Sequence, residues 1–87
     1  MRELEVRLVE WLDSSSDSGW QPLRESRKLV PDHCSSVGFV LADTDEYLTL
    51  LQSFTNRKDE MADQGDNSIC IPKFAITNSI TIREGTQ

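Results

Sequence analysis

Asn67-Ser-Ile-Cys-Ile-Pro-Lys-Phe-Ala-Ile-Thr-Asn-Ser-Ile-Thr-Ile-Arg83 decides the fold of this chain. Isoleucines alternate at Ile69 and Ile71 and again at Ile80 and Ile82, the period-two, β-branched pattern of strands lying on a half-buried surface. Pro72 has no N–H to give to a ladder, so the first of these two strands ends there. A strand, one tight Pro-Lys-Phe-Ala corner and a short last strand is how a small closed β-barrel finishes.

Upstream of this stretch, residues 55–67 show no apolar periodicity and read as a mobile acidic loop. Before it, Ser36-Val-Gly-Phe-Val-Leu-Ala42 is a nearly continuous apolar strand, and Asp43-Thr-Asp-Glu46 turns it into a partner over residues 47–54. Residues 3–12 alternate Leu4, Val6 and Leu8 against Glu3, Glu5 and Arg7, which predicts a first strand with the leucine face buried. Helices stay open as alternatives in two places. Leu4, Leu8, Trp11 and Leu12 also fit a helical stripe, and so do Tyr47, Leu51 and Phe54. Between the first two strands, residues 13–34 form an insertion whose Ser-rich start is turn chemistry, with a short helix expected over residues 22–29 between Pro22 and Pro31. The expected architecture is one mainly β domain over residues 1–87: a small five-stranded barrel with one short helix in the insertion. Closure into a barrel would remove the exposed edges of an open sheet.

At 87 residues with 37% hydrophobic content, the chain sits near the size where burial only just outweighs chain entropy, and a homo-oligomeric interface is an ordinary remedy. The net charge is −6, concentrated in residues 43–66. An acidic chain repels phosphate backbones at long range, which argues against non-specific nucleic-acid binding. The N-terminus has no apolar signal core and no run reaches membrane-spanning length, so a cytoplasmic protein without membrane contact is expected. Cys34 and Cys70, in no CxxC spacing, are expected as buried free thiols.

Catalytic equipment is sparse. His33 is the only histidine, the Ser14–Ser16 run is no nucleophile elbow, and neither a P-loop nor a GxGxxG motif is present. Asp32, His33 and Cys34 are consecutive, and consecutive residues rarely converge on one metal ion. No cofactor, metal or enzyme activity is expected. Binding equipment is richer. Trp11 and Trp20 flank the polar loop, where each either packs in the core or stacks on a planar ligand. Arg24, Arg27 and Lys28 form a basic cluster able to clamp a phosphate, or simply a solvated helix face. Lys73 follows Pro72 in a tight corner that aims one long cation, and Ser36 and Asp13 offer hydrogen bonds.

Trp11-x-Asp13, Gly19-Trp20, Cys34-Ser-Ser-Val-Gly38, Asp45-Glu-Tyr47 and Ile69-x-Ile71-Pro-Lys73-x-x-Ile76 together resemble short proteins encoded by tailed bacteriophages, over nearly the whole chain. The last segment also looks like the closing strands of SH3- and Sm-like barrels. The resemblance implies a small accessory protein in the cytoplasm of the infected bacterial host. Beside proteins of that kind, the expected function is a non-enzymatic oligomer that sequesters a small anionic ligand, nucleotide-like, as a signal of host antiviral immunity. Lys73, Arg24, Arg27 and Lys28 would neutralise phosphate, Trp11 or Trp20 would stack on a base, and Ser36 or Asp13 would hydrogen-bond. The alternatives are an inhibitor that docks its acidic loop on a host defence protein, and a structural virion accessory.

Overall fold

The computed structural model describes residues 3–55 and 64–86. They form β1 (Val6–Asp13), a single helical turn α1 (Leu23–Ser26), β2 (Asp32–Asp43), β3 (Tyr47–Phe54), β4 (Gly65–Pro72), a 3-10 turn (Lys73–Ala75) and β5 (Ile76–Arg83). All pairings are antiparallel, in one sheet of order β4-β3-β2-β1-β5. Both segments that also fitted a helical stripe are therefore strands. The strand reading holds in both places, and pairing with β2 secures it.

The quoted stretch is β4, the 3-10 turn and β5, and Pro72 ends β4 as its missing donor requires. These consecutive strands are the two outermost of the sheet. In a flat five-stranded sheet they would lie about 19 Å apart. The four Cα steps from Pro72 to Ile76 span at most about 14 Å even when extended, so the sheet must coil. The core shows the same coiling. Val9 of β1, Leu48 and Leu50 of β3 and Ile71 of β4 are buried in one cluster, with Trp11, Val40, Ala75 and Ile76 packed against it. Strands β1 and β3 are not sheet neighbours, so Val9 joins the cluster of Leu48 and Leu50 only because the sheet bends over itself. A register shift between Val40 and Ala42 in β2 supplies the bend, leaving Leu41 unpaired and exposed.

The buried face of β1 is opposite to the one expected. Leu4, Val6 and Leu8 are only half-buried, whereas Val9 is fully buried, and strand alternation puts Arg7 and Trp11 on its side. A charged residue is tolerated on that face because its partners come with it, as described below. The cysteines also depart from expectation: Cys34 is half-buried and Cys70 exposed. Cys70 alternates outward from Ile69 and Ile71 on an outermost strand, where little packs over it.

The insertion is an arm. Helix α1 is shorter than expected, with Pro22 at its N-cap and Arg27 at its C-cap, so it ends well before Pro31. No side chain of α1 is buried, and every residue over 16–33 is exposed. The radius of gyration, 17.1 Å, exceeds the roughly 12 Å of a compact chain this long. The greatest extent is 57 Å, and β2 alone, at 12 residues, runs about 40 Å. Apart from Thr55 and residues 64–67, the expected acidic loop lies outside the described residues. No helix among the described residues is long and apolar enough to cross a membrane.

Candidate ligand-binding site

Two constellations of polar side chains lie on the concave side of the sheet. The first is a chain of alternating charges. Strand geometry puts Glu5 and Arg7 on one face, and the Arg7 guanidinium donates to both carboxylate oxygens of Glu5, Nη2 to Oε1 at 2.8 Å and Nε to Oε2 at 2.9 Å. Thr81 of β5 donates its hydroxyl to Oε2 of the same carboxylate at 2.7 Å. The other arm of the guanidinium, Nη1, reaches Oδ2 of Asp43 at 3.1 Å, and Nζ of Lys73 lies 2.6 Å from Oδ1 of Asp43. The chain thus ties together β5, β1, the end of β2 and the corner after β4. The charges act on one another as their signs demand. The Lys73 ammonium first, then Arg7, holds the Asp43 carboxyl below its usual range, and Arg7 does the same to Glu5. Hydrogen bonding to Glu5 in turn raises Arg7.

The second constellation lies where β2 and β3 part. Their ladder runs from Asp43↔Leu48 to Phe39↔Leu51 and goes no further. Beyond it, residues 32–38 of β2 pair with β1, and residues 53–54 of β3 pair with β4. The strands splay, and a cleft of about 210 Å³ opens between them, lined by Ser36, Val37, Leu50, Leu51, Gln52, Asn67 and Ile69. Gly38 sits at the fork. A Cβ there would come 3.0 Å from the Leu50 Cβ and 3.1 Å from the Leu51 carbonyl oxygen, so glycine eases the close approach of β2 to β3 before they diverge.

The residues singled out in the sequence scatter over three places. Trp11 and Ser36 meet: the indole Nε1 donates to the Ser36 hydroxyl oxygen at 3.1 Å, beside the cleft. Asp13 ends β1, opposite Asp32, and its carboxylate accepts from the Ser14 amide at 2.8 Å, which makes it a turn residue at the root of the arm. Trp20, Arg24, Arg27 and Lys28 lie on the arm. Trp20 is 104% exposed, so core packing does not apply to it. Lys28 and, more loosely, Arg24 pair with Glu25 at 3.2 and 3.9 Å, while Arg27 has no ion-pair partner among the described residues. Lys73 is aimed by its corner as expected, but at Asp43. It is a strut of the fold before it is a free cation.

Sequence reasoning missed Glu5, Arg7, Asp43 and Thr81, although Glu5-x-Arg7 on a strand was a readable sign of a same-face ion pair. It also missed Gln52 and Asn67, for which only the finished register gives a signal. In comparisons with family models, curated proteins and solved structures, nothing matches this chain.

Proposed function

We propose that the protein is a non-enzymatic, self-associating binding module that holds a small anionic ligand, nucleotide-like, between copies of itself. The observation that carries this reading is the arm. It presents a fully exposed tryptophan together with Arg24, Arg27 and Lys28, and all of these are exposed. An aromatic ring and guanidinium groups are the equipment for a base and a phosphate.

Self-association is supported by the unequal balance of buried and exposed apolar groups. Among the described residues five hydrophobic side chains form the buried core, while Trp20, Phe74, Leu23 and Val30 stand 104, 93, 70 and 69% exposed. Exposure on that scale in so small a domain favours burial against another copy. The outer edges of β4 and β5 give each copy two different strand edges. Pairing between unlike edges is heterologous and closes into a ring when the rotation allows. On this reading the coiled sheet completes a small barrel within the assembly. In line with the phage-protein resemblance, the module would act in an infected bacterium by sequestering a signal nucleotide, with Lys73 contributing only if the ligand displaces it from Asp43.

Native mass spectrometry of protein purified from signalling-active cells tests the proposal. A discrete oligomer that releases an anionic small molecule on denaturation is expected. An apo monomer from such cells would overturn it.

A further inference from the structure

From the cleft between β2 and β3 we infer a nucleobase-binding site whose recognition edge is the carboxamide pair Gln52–Asn67; this rests on the small-ligand reading above and names the part of the ligand that the sheet itself would take. The two amides face each other across the β3–β4 ladder, between the Leu51↔Ser68 and Ser53↔Asp66 pairs. Nδ2 of Asn67 donates to Oε1 of Gln52 at 2.7 Å. Each primary amide carries a donor group and an acceptor. One donor–acceptor contact joins them, so Oδ1 of Asn67 and the NH₂ of Gln52 are left without partners among the described residues. Turning both amides over leaves the same complement, one acceptor and one donor. That edge matches a heterocycle presenting a donor next to an acceptor, as N6 and N7 of adenine do.

The remaining walls suit a flat ring. Val37 and Ile69 supply exposed apolar surface above the buried Leu50 and Leu51, and the Ser36 hydroxyl, which accepts from Trp11, keeps its own proton free to donate. Asn67 is held at φ 57°, the one non-glycine residue in the left-handed region among the described residues. Asparagine tolerates that conformation better than most side chains, and such outliers gather at ligand sites. No cation among the described residues lines the cleft. It would take the base and leave the phosphate outside, and β2 leads from Ser36 to the root of the basic arm at Asp32 in about 13 Å.

The full chain, titrated with adenosine 5′-monophosphate and followed by calorimetry and by the side-chain amide resonances of Gln52 and Asn67, tests the site. Binding that moves those resonances is expected, with Gln52→Ala and Asn67→Gly each weakening it about tenfold or more. Asn67→Gly is the decisive variant because glycine adopts the same φ without strain, so its melting temperature should not fall. No binding at millimolar nucleotide, or binding that both variants leave unchanged, overturns the inference. Recovery of an anion by native mass spectrometry with either of those results would sink the cleft but keep the binding module. An apo protein whose cleft nonetheless binds the nucleotide through Gln52 and Asn67 would do the reverse.

Discussion

The coiled half of the molecule and its projecting arm both carry charged residues and large apolar side chains, yet they treat them oppositely. In the coiled half, Val9, Leu48, Leu50 and Ile71 are sealed from solvent, and the charges of Glu5, Arg7, Asp43 and Lys73 neutralise one another in sequence. In the arm, Trp20, Leu23 and Val30 are open to water, Arg24 and Lys28 share one acid, Glu25, and Arg27 has no ion-pair partner among the described residues. The first region spends its chemistry on its own stability. The second leaves it for something else to meet. Substitutions in the two should therefore separate cleanly, with stability lost in one and association or binding in the other.

The largest effect belongs to the core. Leu48→Ala and Ile71→Ala remove fully buried side chains from a cluster with few members, and each should cost about 2–5 kcal/mol in urea unfolding. Such a loss approaches the total stability of a domain this small, so the Ile71 variant should be partly unfolded at 25 °C by circular dichroism. Leu23→Ala on the arm, by contrast, should stay within about 0.5 kcal/mol. Equal losses would mean that the arm is folded against something in the isolated protein.

Next comes the fork. Gly38→Ala places a methyl group against the Leu50 side chain and the Leu51 backbone, and overpacking of this kind costs about 1–3 kcal/mol. Because the clash lies at the point where β2 and β3 part, it should also widen the splay, visible as faster amide exchange at Val40 than at Val9.

The charge chain should be worth less but carry a pH signature. Glu5 and Asp43 have depressed folded-state pKa values, so their contribution is fully present above the unfolded carboxylate range near pH 4 and is lost as pH falls through the folded values. Wild-type stability should therefore drop on acidification below about pH 4. Asp43→Asn should remove about 1–2 kcal/mol at pH 7, discounted for the partial exposure of Asp43, and flatten the acid limb. An acid limb unchanged in Asp43→Asn would show that the network contributes nothing measurable.

These contrasts also explain what could be read in advance. All five strands were legible, β1, β4 and β5 from local alternation and β2 and β3 from an apolar run and the turn after it, and Pro72 fixed the end of β4 on its own. The side of β1 that faces inward was not, because it depends on Arg7 finding Asp43, 36 positions away, after the bulge at Leu41 has bent β2. Hydrophobicity favoured Leu4, Val6 and Leu8, which end half-buried, while Val9 on the other face is sealed. The same holds for the site. Trp11 and Ser36 stand out by residue type and do meet, whereas Lys73 stood out and proved to be engaged at home. Gln52 and Asn67 are ordinary in sequence and become neighbours only through the β3–β4 register.

The smallest expected effect on stability is the most informative about the arm. Trp20 makes no contact that shields it, so Trp20→Ala should leave the urea midpoint within about 0.5 kcal/mol of wild type. If the arm meets another copy or a stacked base, the same substitution should shift the sedimentation profile toward smaller species or abolish ligand retention, since a buried tryptophan is commonly worth 2 kcal/mol or more at an interface. The wild-type indole should then show blue-shifted emission at high protein concentration and a water-exposed spectrum on dilution. Trp11, half-buried and tied to Ser36 in either state, supplies a constant background against which that shift can be read. A fluorescence spectrum and a sedimentation profile both indifferent to Trp20→Ala would leave the arm a solvated loop, and the contrast between the two regions would then be one of order alone.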